Sequence, residues 1–167
     1  MAITRRFELV ANVCVAAVAA AILYVVVSSS TAKSLPEPFA RPGASLELAG
    51  VDWRENRRTL VLFIQEHCED CEKSAPFHKR AIEEARKEAA KILAVLPVRS
   101  TDAVRYADEL GVKPADVVAA DVPSLGVHKL PSIAIIGGSG KIQRIWVGKL
   151  NERQEKDVFK TLRSPSM

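Results

Sequence analysis

The stretch Leu60–Phe77, LVLFIQEHCEDCEKSAPF, decides how the rest of the chain is read. Its apolar, β-prone opening, Leu60 to Ile64, reads as a buried strand. A short polar turn follows, then Cys68 and Cys71 in C-x-x-C spacing, then a run of helix formers. Two intervening residues let both sulfurs meet at the first turn of a helix, where they can close into a small disulfide ring. The unpaired N–H groups and the dipole at that helix end favour the thiolate of the first cysteine. Cys68 is therefore the expected nucleophile. Cys71, one turn into the helix and shielded, is the expected resolving thiol, attacking a mixed disulfide from within the same chain.

Further residues carry a resemblance. Pro76 follows Cys71 at the spacing where thioredoxins place a helix-kinking proline, and Leu130-Pro131 precedes the apolar run Ile133–Ile136. Gly137-Gly138-Ser139-Gly140 reads as a hairpin turn and Lys141–Val147 as its second strand, with Gly148 and a last helix after it. In this order of motifs, over roughly Ala44 to Leu162, the chain resembles the thioredoxin-like superfamily, and within it the membrane-anchored TlpA-like thiol-disulfide oxidoreductases. The resemblance implies an α/β fold: a thioredoxin-like mixed sheet flanked by helices, with an extra strand-helix insertion, preceded by one N-terminal transmembrane helix. It also implies that Pro131 is a cis-proline packed against the cysteines, where it presents backbone to an extended substrate strand. Disulfide-bearing exported proteins are the implied partners, with a membrane reductase of the DsbD or CcdA type resupplying electrons and no cofactor.

Three departures from the family pattern bear on mechanism. Glu69-Asp70 stands between the cysteines in place of the more usual proline-containing pairs. Two carboxylates beside the sulfur disfavour its thiolate, which points to a reductant rather than an oxidant; protonated His67 would modulate Cys68 the other way. His67 stands where thioredoxins carry a tryptophan, and Leu62 where they carry a buried acid. Glu66, close in sequence, is the remaining candidate base.

The chain has 167 residues, 48% hydrophobic and 26% charged, which allows one globular domain with an appendage. Residues 1–6 carry Arg5 and Arg6 and are expected in the cytoplasm. Residues 7–27 read as a transmembrane signal anchor contacting the lipid bilayer. Leu9–Val27 is apolar apart from Asn12 and exceeds the length of an ordinary signal core, although Ser30-Thr31-Ala32 offers small residues for cleavage. Residues 28–43, rich in Ser and Pro, read as an extended linker, 44–163 as the domain and 164–167 as a tail. The expected location is the bacterial inner membrane, single-pass, with the domain on the extracytoplasmic side.

Within the domain, Leu46-Glu47-Leu48 reads as an edge strand and Thr59–Gln65 as a strong one. Ala75, Ile82, Ala85, Ala89 and Ile92 recur at helical intervals, so the helix after the cysteines is expected to end near Lys91, with Glu83–Lys87 pairing on its solvated face. Ile92–Val98 is the next strand, with Pro97 near its end, and Asp102–Leu110 a second helix capped by Ser100 or Thr101. Val117–Ala120 reads as a short strand and Ser124–Val127 as a helical turn. Asn151 caps a helix running to about Leu162.

Other chemistries are weaker. A structural zinc lacks a second cysteine pair, since Cys14 lies in the apolar segment. Copper has more to offer, because Cys68, Cys71 and a histidine such as His128 make a soft donor set, and exported Sco-type copper chaperones are thioredoxin-like and anchored. Their cysteines, however, are separated by three residues, not two. His67 and His78 are further histidines near the motif, and a packing or surface role suffices for His78. A peroxidase would need a proline- and threonine-containing loop around its nucleophile, a redox-inert adaptor remains a third class, and the net charge of +4 is too dispersed to mark a nucleic-acid site.

Overall fold

A computed structural model describes residues 40–164. The expected cytoplasmic end, the anchor at 7–27, most of the linker and the last residues of the tail lie outside them. Among the described residues no helix is long and apolar enough to cross a membrane.

Five strands form one mixed sheet: β1 (Arg58–Phe63), β2 (Lys91–Leu96), β3 (Val117–Ala119), β4 (Ser132–Gly137) and β5 (Ile142–Val147), in the order β3-β2-β1-β4-β5. β1 pairs parallel with β2 and antiparallel with β4, so it lies at the centre with all six residues buried. A run without polar alternation is what a strand covered on both faces requires. The expected insertion is present as helix α2 (Thr101–Leu110) and β3, which takes the sheet edge parallel to β2.

Alternation along the strands divides the core in two. Leu60, Leu62 and Ile64 pack with Ile82 and Ala85 of α1 (Glu69–Lys87), Ala103 and Ala107 of α2, and Val158 and Leu162 of α3 (Glu152–Arg163). Val61 and Phe63 point to the opposite face, covered by Leu46, Leu48, Val122 and Val127 from irregular segments. All three α-helices among the described residues thus contribute to one core, and loops close the other.

Local chemistry sets the ends of these elements. Ser100 caps α2 by accepting from the Ala103 N–H at 2.9 Å, and Gly111 ends it at a φ of 101°. Asn151 and Gln154 form a reciprocal capping box on α3. In the hairpin, Gly140 has a φ of 75°, and a Cβ there would meet the Trp53 ring at 2.8 Å, so glycine is required twice over.

The structure corrects three expectations. Leu46–Leu48 is not a strand; the segment makes one isolated antiparallel bridge, Ser45 to Lys141, and its leucines fill the core instead. Helix α1 ends at Lys87 rather than near Lys91, because Ala89 adopts a left-handed φ of 52° and Ile92 already belongs to β2. Lys87 pairs with Glu84 at 3.5 Å rather than with Glu83, and Glu84 also receives Arg163 of α3 at 2.5 Å.

Candidate active site

The cysteines lie where β1 hands over to α1. The chain leaves the sheet after Ile64, turns through Glu66 and a left-handed His67 (φ 56°), and enters the helix with Cys68 as its N-cap. The Cys68 sulfur accepts from the Cys71 N–H at 3.3 Å, so the residue fills the role usually taken by Ser or Asp. Cys68 and Cys71 form a disulfide with Cα atoms 5.1 Å apart. Cys68 is half-buried and Cys71 fully buried, so an incoming thiolate or disulfide meets Cys68 first.

The other predicted residues differ in how firmly the structure ties them to this pair. Phe63 pairs with Ser132, so the turn after β1 and the residue before β4 leave the same end of the sheet. That residue is Pro131, buried, with a cis peptide bond to Leu130. Glu66 is half-buried and accepts from the Ser100 hydroxyl at 3.3 Å. His67 is exposed on the turn, and His128 is exposed in the segment before Pro131. Among the described residues no group of three or more His, Cys, Asp or Glu side chains is placed to hold a metal ion.

Charge around the pair is acidic. Glu69, Asp70 and Glu72 occupy the first turn of α1, where carboxylates are favoured by the helix dipole. Lys73, one turn on, pairs with Glu69, so the cation nearest in the helix is already engaged. A cleft of about 620 Å³ opens at the other end of the sheet, lined by Arg57, Lys141, Arg144 and Lys160, and holds neither cysteine.

Three buried polar groups escape a reading by motif. His78 is 1% exposed on α1, its Nδ1 without a partner; Ser74 Oγ on the same helix and the Tyr106 hydroxyl on α2 are likewise unpartnered. Burial pushes the His78 imidazole down to about 4, and no charged group contributes to that displacement. The signal in the sequence is spacing: Ser74 and His78 stand three and seven residues after Cys71, on the stripe that also carries Ile82 and Ala85.

Comparison with solved structures fits this geometry. A thiol:disulfide interchange protein named DsbE from Chlorobium tepidum superposes with a TM-score of 0.57 at 19% identity, over 74% of this chain and 99% of its own. The chain has a thioredoxin-like fold. A thioredoxin-family thiol:disulfide interchange protein from Chlorobium tepidum TLS gives 0.53 at 17% identity, covering 74% of this chain and 97% of that one. The thioredoxin domain of a thiol-disulfide oxidoreductase from Bacteroides vulgatus gives 0.51 at 18%, covering 73% and 95%. No protein-family model and no curated protein matches the sequence.

Proposed function

We propose that the protein is a thiol-disulfide oxidoreductase that reduces disulfides in exported proteins, tethered to the membrane by its N-terminal segment. The observation that carries this reading is the Cys68–Cys71 disulfide at the head of α1, with one sulfur open to a partner and the other buried. In the reduced protein the Cys68 thiolate attacks a substrate disulfide, forming a mixed disulfide and releasing one substrate thiolate. Cys71 then attacks the Cys68 sulfur, the intramolecular bond forms, and the second substrate sulfur leaves as a thiolate that takes up a proton. Pro131 lines the approach for an extended substrate strand, Glu66 is the base, and His67 modulates Cys68.

The reductant direction follows from electrostatics. Glu69, Asp70 and Glu72 oppose the helix-end preference for the Cys68 thiolate, and a less stabilised thiolate makes the disulfide less oxidising. Re-reduction falls to a membrane reductase of the DsbD or CcdA type, as the resemblance implies. Replacing Cys71 by Ser is expected to trap substrate-linked adducts of Cys68 in cells, and the intact chain is expected to catalyse insulin reduction. Absence of both sinks the exchange reading. A midpoint potential near or above roughly −120 mV would refute the reductant direction alone.

A further inference from the structure

Cys71 is fully buried, yet resolving a mixed disulfide requires it to become a thiolate. An anion in an apolar core needs hydrogen-bond donors, and the sheet face that packs against this helix carries Leu60, Leu62 and Ile64. The polar atoms come from the helix itself. Ser74 is three residues after Cys71 and His78 four after Ser74, so each adjoins the next on one helical face, with Cβ atoms about 5–6 Å apart. All three are buried, and Ser74 Oγ and His78 Nδ1 have no hydrogen-bond partner. Two unpaired polar atoms one helical turn apart, neither with a protein partner, are the setting in which interiors hold a water.

We propose that Ser74 and His78 hold a buried water beneath Cys71 and that this polar seam donates hydrogen bonds to the Cys71 thiolate during resolution. Both are positioning residues: neither touches substrate, and each acts through the sulfur of Cys71. His78 remains a neutral donor in this role, consistent with burial holding its imidazole well below its ordinary range. Several charged groups on the packed elements are engaged elsewhere, while Glu72 and Glu109 face Tyr106. Glu155 of α3 binds Arg80, Arg163 binds Glu84, and Lys91 of β2 binds Asp116. Tyr106 of α2, raised chiefly by its burial, stays a neutral phenol.

The inference rests on the thiol-exchange reading for its purpose, but its test needs no substrate. In the full chain carrying Cys14→Ala and Cys68→Ser, Cys71 is the remaining thiol, and its ionisation is followed by thiolate absorbance across a pH titration. Ser74→Ala and His78→Leu are each expected to raise the midpoint by about one unit, a tenfold lower thiolate fraction at a given pH. The two together are expected to give less than the sum, because they share one water, and His78→Gln to restore most of the loss. Ser74→Ala removes a single atom and keeps the helix, so it decides the matter even if His78→Leu fails to fold. An unchanged midpoint in Ser74→Ala, or in a folded His78→Leu, overturns the proposal. A shifted midpoint in a chain that reduces no disulfide would leave the seam standing and remove the exchange reading instead.

Discussion

Ser100 ties the loop that precedes the cysteines to the head of α2: its hydroxyl donates to the Glu66 carboxylate at 3.3 Å while its oxygen caps the Ala103 N–H at 2.9 Å. Structure and proposed chemistry can therefore be separated at this point. Ser100→Ala removes the cap and is expected to lower stability by about 1 kcal/mol, read as an earlier urea midpoint. Glu66→Gln keeps an acceptor for Ser100 and should leave that midpoint nearly unchanged. If Glu66 is the base, the same variant slows insulin reduction by about tenfold or more. A Glu66→Gln chain at full rate assigns the carboxylate to holding the loop.

The acidic first turn makes a redox prediction. Neutralising Glu69 and Asp70 together as Gln and Asn leaves Glu72 as the one first-turn carboxylate set against the dipole of α1 at Cys68, and Lys73 loses its partner at residue 69. The Cys68 thiolate becomes easier to form and the disulfide more oxidising. Equilibration against glutathione should show the midpoint potential rising by on the order of 10–30 mV, the latter equal to roughly 1.4 kcal/mol for a two-electron couple. A fall would reverse the argument for a reductant.

Much of the fold was legible because its signals are redundant. β1 announces itself by an unbroken apolar run, α2 and α3 by Ser100 and Asn151 at their caps, and the hairpin by three glycines in four residues. The C-x-x-C pair was legible too, since its spacing alone brings the sulfurs together. What failed had no local signal. The end of α1 is set by Ala89 in a left-handed conformation, a place normally marked by glycine, and alanine there reads as continued helix. Leu46 and Leu48 alternate like a strand, but their backbone finds only one bridge. Ser74 and His78 did carry a signal, their spacing on the stripe of Ile82 and Ala85, but the cysteine motif gives it no weight.

The left-handed alanine gives its own test. Ala89 is exposed, so replacing it by glycine removes a Cβ that touches no core and relieves the cost of positive φ. Ala89→Gly is expected to stabilise the domain by about 0.5–1 kcal/mol, although glycine usually destabilises a helix. Thermal unfolding of the two chains decides the sign.

Arg58 joins the first strand to the last helix. Its guanidinium donates to the carbonyls of Leu162 and, at 2.6 Å, Ser164, so a buried cation closes the negative end of α3. Arg58→Leu should cost about 2–3 kcal/mol in urea unfolding, because charge-assisted bonds to two carbonyls are lost together. Lysine restores the charge but not the fork, so Arg58→Lys should recover only part of it.

The buried imidazole of His78 links folding to pH in a definite direction. Burial lowers it from 6.5 to about 4, so between those values the unfolded chain binds a proton that the folded chain refuses. Stability contributed in this way is complete above pH 6.5 and is lost as the pH falls towards 4. The displacement corresponds to a loss of roughly 3 kcal/mol over that window. Carboxylates such as Glu84, held below their ordinary range by Arg163, add their own acid sensitivity at lower pH, so the comparison must be between chains. His78→Leu should flatten the urea-midpoint profile between pH 6.5 and 4 while leaving the lower limb in place. If the wild-type and leucine profiles run parallel through that window, His78 takes up its proton alike in the folded and unfolded chains, and the case for an imidazole kept neutral by burial beneath Cys71 is lost.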